Sequence, residues 1–139
     1  MTERNLTLAH QETIVELVCR FREIIAPAVT GVRELTSFSS KYLHCHAPSV
    51  VIYDSRARRQ AKQLLVAAGL EPVRETKDRL NKLPAWAQHG YGKYVYRFGL
   101  LLRHLNDVTA NLRARPHISV QEFDFCFYKM DQRRERDEE

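Results

Sequence analysis

Leu35-Thr36-Ser37-Phe38-Ser39-Ser40-Lys41, continuing through Tyr42–His46 to Val50-Val51-Ile52-Tyr53-Asp54-Ser55-Arg56, is the stretch around which the chain is organised. Its serine-rich start predicts a compact turn, with Val32–Leu35 forming a short helical turn ahead of it. A short helix then runs from about Ser39 through Cys45. That helix must stop near Ala47, because Pro48 disfavours helical backbone at the residue before it. Val50–Tyr53 is apolar enough for a strand, but no second strand is available to pair with it, so it reads as a buried extended connector. Asp54 or Ser55 then caps a helix reaching Ala68, whose Ala57, Ala61, Leu64, Leu65 and Ala68 share one face. Gly69, Leu70 and Pro72 give that helix a complete stop signal.

Outward from this stretch the periodicity is helical. Ile14, Leu17, Val18, Phe21, Ile24 and Ile25 mark an amphipathic helix from Thr7 to about Val29, followed by a break at Thr30-Gly31. Val73 to about Leu83 reads as a short polar helix closed by Pro84, and Ala85–Gly92 as a mobile loop. Tyr94, Val95, Phe98, Leu101, Leu102, Leu105, Val108 and Leu112 keep helical period from about Lys93, which makes this the expected central core helix. After a basic loop at Arg113–His117, Ser119-Val120-Gln121-Glu122 forms a capping box opening a last helix that carries Phe123, Phe127 and Met130. The pattern predicts an all-α fold, a bundle of about six helices in one domain over residues 1–131. Gln132–Glu139 is a charged tail expected to fray.

The chain has 139 residues, 44% hydrophobic and 28% charged, a balance suited to one globular domain with a real core. No apolar run approaches the roughly 20 residues needed to span a bilayer, and Met1-Thr2-Glu3-Arg4 opens no secretory signal, so no membrane association and a cytosolic location are expected. Cys19, Cys45 and Cys126 are odd in number and form no C-x-x-C pair, and they read as buried small hydrophobes. His44 and His46 flank Cys45 at i and i+2, positions that do not share a helix face, so neither a metal site nor a cofactor is expected. The net charge of +5 favours a polyanionic partner. Its main concentration is Arg56, Arg58, Arg59 and Lys62, with no acidic residue before Glu71.

A turn leading to Lys41, followed by Asp54 at the head of a basic helix, can seat a nucleic-acid phosphate and bring an amine beside a carboxylate. A lysine amine can attack the sugar C1′ and form a Schiff base while a carboxylate stabilises the developing oxocarbenium charge. The backbone of the turn would hold one phosphate, and Arg56, Arg58, Arg59 and Lys62 would reach its neighbours. A flipped base would stack on an aromatic residue such as Tyr42, Tyr53, Trp86 or Tyr91.

Leu35–Lys41 resembles the hairpin of the helix-hairpin-helix DNA glycosylases, a Leu-Pro-Gly-Val-Gly-x-Lys pattern, with Ser37 and Ser39 standing where that family has glycines. Ile52-Tyr53-Asp54-Ser55-Arg56 is similar to the family's segment that carries an aspartate into the next helix. The resemblance covers about Gly31 to Gly69. It implies a DNA-binding domain in which Lys41 is the amine nucleophile and Asp54 the assisting carboxylate of a base-excision glycosylase/lyase, with Ser37, Ser39 and Ser40 in the phosphate-binding turn. Two rival readings remain open. The same helices can form a non-catalytic surface for a protein partner or a homodimer, with Trp86 and Tyr91 as exposed anchors, or the chain can be one subunit of a larger complex that supplies the rest of a base pocket.

Overall fold

The computed structural model describes residues 6–29 and 35–111. Five α-helices and one short 3-10 turn follow one another there, and no strand occurs among the described residues. The helices are α1 (Leu8–Ile25), α2 (Leu35–His46), α3 (Ser55–Ala67), α4 (Lys77–Asn81) and α5 (Gly90–Asn111), with the 3-10 turn Ala85–Ala87 just ahead of α5. The architecture is all-α. The expectations for Thr30-Gly31, for the loop at Arg113–His117, for the last helix after Ser119 and for the charged tail lie outside the described residues. No described helix is long and apolar enough to cross a membrane.

α5 is the hub because its apolar residues recur with helical period and are buried from Tyr91 to Leu102, while Val108 near its far end is exposed. Tyr94, Val95, Phe98 and Leu102 are fully buried, each contributing roughly 1.5–3 kcal/mol of hydrophobic stabilisation. α1 packs on one side of α5 through Ile14, Val15 and Val18, α3 on another through Ala61 and Leu65, and the 3-10 turn against its start. Two of these approaches are close at a glycine, and the one at Gly92, against a backbone carbonyl, requires it. A Cβ on Gly92 would stand 1.6 Å from the Trp86 carbonyl oxygen, and one on Gly99 would stand 2.3 Å from the Gln11 amide nitrogen. α2 packs against α1, and Arg22 ties the two by donating to Thr36 Oγ1 at 2.9 Å.

Local signals behave as their chemistry dictates. Thr7 caps α1 by accepting from the His10 N–H. Asp54, in extended backbone, caps α3 through a 2.7 Å bond from the Arg56 N–H to Oδ1. At the far end Gly69 takes φ +74°, with Gly69 N–H bonded to the Val66 carbonyl and Leu70 N–H to that of Leu65. That pattern is a Schellman closure, which needs a residue free of a Cβ at this position.

Three expectations are corrected. The compact turn at Ser37–Ser40 is helix: α2 begins at Leu35 and runs unbroken to His46, because serines in place of glycines leave no residue suited to positive φ and the Ser40 hydroxyl returns to the Ser37 carbonyl. The helix expected over 73–83 shrinks to Lys77–Asn81, capped by Thr76, since Glu71 and Glu75 hold the preceding segment against α3 and α5. Finally, 85–92 is not a loose loop. It holds the 3-10 turn with buried Ala87, and α5 starts at Gly90, three residues before Lys93.

Candidate functional site

The α2–connector junction gathers the polar groups of the serine-rich stretch. Ser39 and Ser40 are both 0% exposed. The Ser40 hydroxyl donates to the Ser37 carbonyl at 3.1 Å and accepts the Tyr53 N–H at 2.8 Å. The His44 Nδ1–H donates to the Val50 carbonyl at 2.8 Å, and the Tyr91 hydroxyl donates to that of Val51. The connector is therefore held at three of four successive residues, from α2 on one side and α5 on the other, with Tyr53 edge-on to both Tyr91 and Tyr94. Ser39 and Ser40 do not offer their hydroxyls to an outside phosphate as expected, because these side chains are inside.

Two groups singled out for chemistry sit beside this clasp. Ser40 immediately precedes Lys41 and Tyr53 immediately precedes Asp54, so the Ser40–Tyr53 bond joins their nearest chain neighbours. Lys41 is exposed on α2. Ser37, one turn earlier and so on the same helix side as Lys41, lines a cavity of about 340 Å³ together with Tyr53, Asp54, Ser55, Arg56 and Arg58. Of the three serines, Ser37 alone borders that cavity.

A second gathering lies between α3 and α5. Arg58 and Arg59 are exposed, and Arg58 reaches the Tyr53 hydroxyl at 3.4 Å. Arg56, Arg58 and Arg59 near the N-terminal end of α3 outnumber the capping carboxylate of Asp54, which complements the helix dipole there. Lys62 is held within the protein, its ammonium 2.6 Å from Glu71 Oε1 and donating to the Pro72 carbonyl at 3.2 Å. Arg97 of α5 forks onto the same carboxylate at 3.1 and 2.6 Å, and Lys93 pairs with Glu75. Burial would raise the pKa of Glu71, whose side chain is only 4% exposed. The hydrogen bonds and positive charge of Lys62 and Arg97 outweigh burial and hold the carboxyl below the ordinary range.

Arg58 links the two gatherings. It borders the Asp54 cavity, a cleft of about 460 Å³ with Arg59, Lys62, Glu75 and Arg97, and a cavity of about 300 Å³ with His89, Lys93 and Arg97. Sequence reasoning found the α3 half of this surface and missed the α5 half. Lys93 and Arg97 stand four residues apart, as do Glu71 and Glu75, and this matched spacing was the available signal.

Other expectations are also revised. Trp86 is half-buried with its ring edge-on to Tyr96, and Tyr91 is buried, so neither is an exposed anchor. Cys45 is exposed and Cys19 half-buried, while Cys126 lies outside the described residues. The exposed aromatic surface lies instead on α1 and α2. There Tyr42 stacks on Phe21 at 5.2 Å between ring centres and on Phe38 at 6.4 Å, next to an Ile24 that is 75% exposed. No protein-family model, no curated protein and no solved structure matches this chain.

Proposed function

We propose that this chain is a DNA-binding domain carrying base-excision chemistry on Lys41 and Asp54, without the hairpin of the helix-hairpin-helix glycosylases, since Leu35–His46 is one continuous helix. The observation that carries the reading is the Ser40–Tyr53 clasp, which anchors the segments bearing the amine and the carboxylate to each other beside a cavity edged by Arg56 and Arg58. In the proposed reaction the neutral Lys41 amine bonds to C1′ of the damaged nucleotide as the base departs with the electrons of the glycosidic bond and takes up the proton the amine loses. The C1′–O4′ bond then breaks, O4′ is protonated by water, and the Schiff base that borohydride reduces is left on Lys41. Asp54 stabilises the positive charge that develops on the sugar. Arg56, Arg58 and Arg59 hold flanking phosphates, and docking of DNA removes water from the exposed lysine.

The test is borohydride trapping on a duplex carrying one abasic site. The wild-type chain is expected to give a covalent adduct and Lys41→Ala none. A wild-type chain that yields no adduct while binding the duplex with a steep salt dependence would leave DNA binding and remove the chemistry.

A second reading is favoured by exposed Phe38, Tyr42 and Ile24 around a half-buried Phe21, an apolar surface of the kind that anchors protein partners or a second copy. It predicts association that is insensitive to salt and lost in Tyr42→Ala, measured by sedimentation velocity across a range of concentrations.

A further inference from the structure

We infer that the cavity between Arg58 of α3 and the first two turns of α5 is a binding site for a phosphomonoester, the terminal phosphate of a strand or the phosphate of a free nucleotide. The inference rests on the nucleic-acid reading for the strand end, and on the cavity alone for the phosphate. Its wall is made by Arg58, Gln88, His89, Lys93 and Arg97 with Gly90 and Tyr94, in a volume of about 300 Å³. The two neighbouring cavities each include a carboxylate, Asp54 in one and Glu75 in the other. This one includes none.

Charge and geometry favour a dianion. Lys62, Lys93 and Arg97 pair with two carboxylates, Glu71 and Glu75, which leaves one positive charge, and Arg58 in the cavity wall adds a second, together equal and opposite to a phosphomonoester dianion. Neither carboxylate lines the cavity. Both instead fix the side chains that do: Glu71 receives the fork of Arg97 and Glu75 receives Lys93. Arg97 is thus held rigid before any ligand arrives, which lowers the entropy lost on binding. Arg58 supplies the planar donor set suited to phosphate oxygens, and it reaches the neutral Tyr53 hydroxyl at 3.4 Å. α5 begins at Gly90 in the cavity wall, so the positive end of a helix of 22 residues adds to the field. A backbone phosphodiester carries one charge and must both enter and leave, whereas a strand end or a nucleotide needs a single opening.

The experiment compares fluorescence anisotropy of an oligothymidylate of eight nucleotides carrying a 5′-phosphate, a 3′-phosphate or neither, at fixed salt, with equilibrium dialysis of thymidine 5′-monophosphate. Arg58→Ala and Lys93→Met are run beside the wild-type chain, and circular dichroism reports their folding. A terminal phosphate is expected to tighten binding about tenfold or more, as one or two charge-assisted hydrogen bonds do. Both variants erase the difference. Equal affinity with and without a terminal phosphate, together with no binding of the mononucleotide, overturns the inference while leaving salt-dependent strand binding intact. Binding of the mononucleotide but of none of the oligonucleotides upholds the phosphate site and defeats the nucleic-acid reading. A preference for the phosphorylated strand that persists in both folded variants places the contact elsewhere and overturns the inference as well.

Discussion

The α2–connector junction and the α3–α5 cleft are both rich in polar side chains, yet they use them oppositely. At the junction, hydroxyls and an imidazole turn inward and satisfy backbone groups of a segment that has no strand partner of its own. At the cleft, charged side chains between 4% and 28% exposed pair with one another and leave an excess of positive charge at the rim. Polar residues of the first kind support the fold and are insensitive to salt. Those of the second kind set the field that an anion meets.

Breaking the cleft has the largest expected effect on stability. Glu71→Gln leaves Lys62 and Arg97 without their shared countercharge and costs about 2–3 kcal/mol, below the full penalty of a buried pair because Lys62 keeps contact with water. Urea unfolding at neutral pH measures it. The sign with pH follows from the depressed pKa. The unfolded chain binds the Glu71 proton more readily than the folded one, so the pair's contribution is complete above the ordinary carboxylate pKa of 4.5 and is lost as pH falls through the lower folded value. Between pH 6 and pH 3 the wild-type chain should lose stability that Glu71→Gln never had. Equal slopes for the two would show that the carboxyl is not stabilised by its partners.

At the junction the effects are smaller. Ser40→Ala removes the acceptor of the Tyr53 N–H and should cost about 1–3 kcal/mol, without changing the salt dependence of stability. A loss that varies with salt would erase the distinction between the two regions. Ser39→Ala sharpens it from the other side. Its buried hydroxyl has no hydrogen-bond partner among the described residues, so the substitution should be neutral or raise stability by less than about 1 kcal/mol in the same urea titration.

These contrasts also explain what the sequence made legible. The Asp54 cap and the Gly69-Leu70-Pro72 stop of α3 were readable because every atom involved lies within a few residues. The buried connector was readable because an apolar run lacked a partner strand. Serines 37 to 40 misled because the same hydroxyls that favour turns also satisfy a helix interior, and the bond that decides between them reaches 13 residues along the chain. Gly92 misled because a glycine near another glycine reads as freedom, whereas here it admits the Trp86 carbonyl against α5. The cleft was half readable. The arginines of α3 form one run, but the Glu71–Arg97 pairing joins positions 26 apart, and its local trace is no more than the matched four-residue spacings of Glu71 with Glu75 and Lys93 with Arg97.

The position of α5 as the hub sets a clock during synthesis. α1 and α3 present Val18 and Leu65 to a helix that is made last among those described. At roughly 5–20 residues per second, translation from the end of α3 to the end of α5 takes roughly 2–9 s. Throughout that interval the apolar faces of the earlier helices have no partner to cover them. A nascent chain paused before Gly90 would therefore offer a sticky, unclosed surface to chaperones or to its neighbours, and completion of α5 is the event that withdraws it.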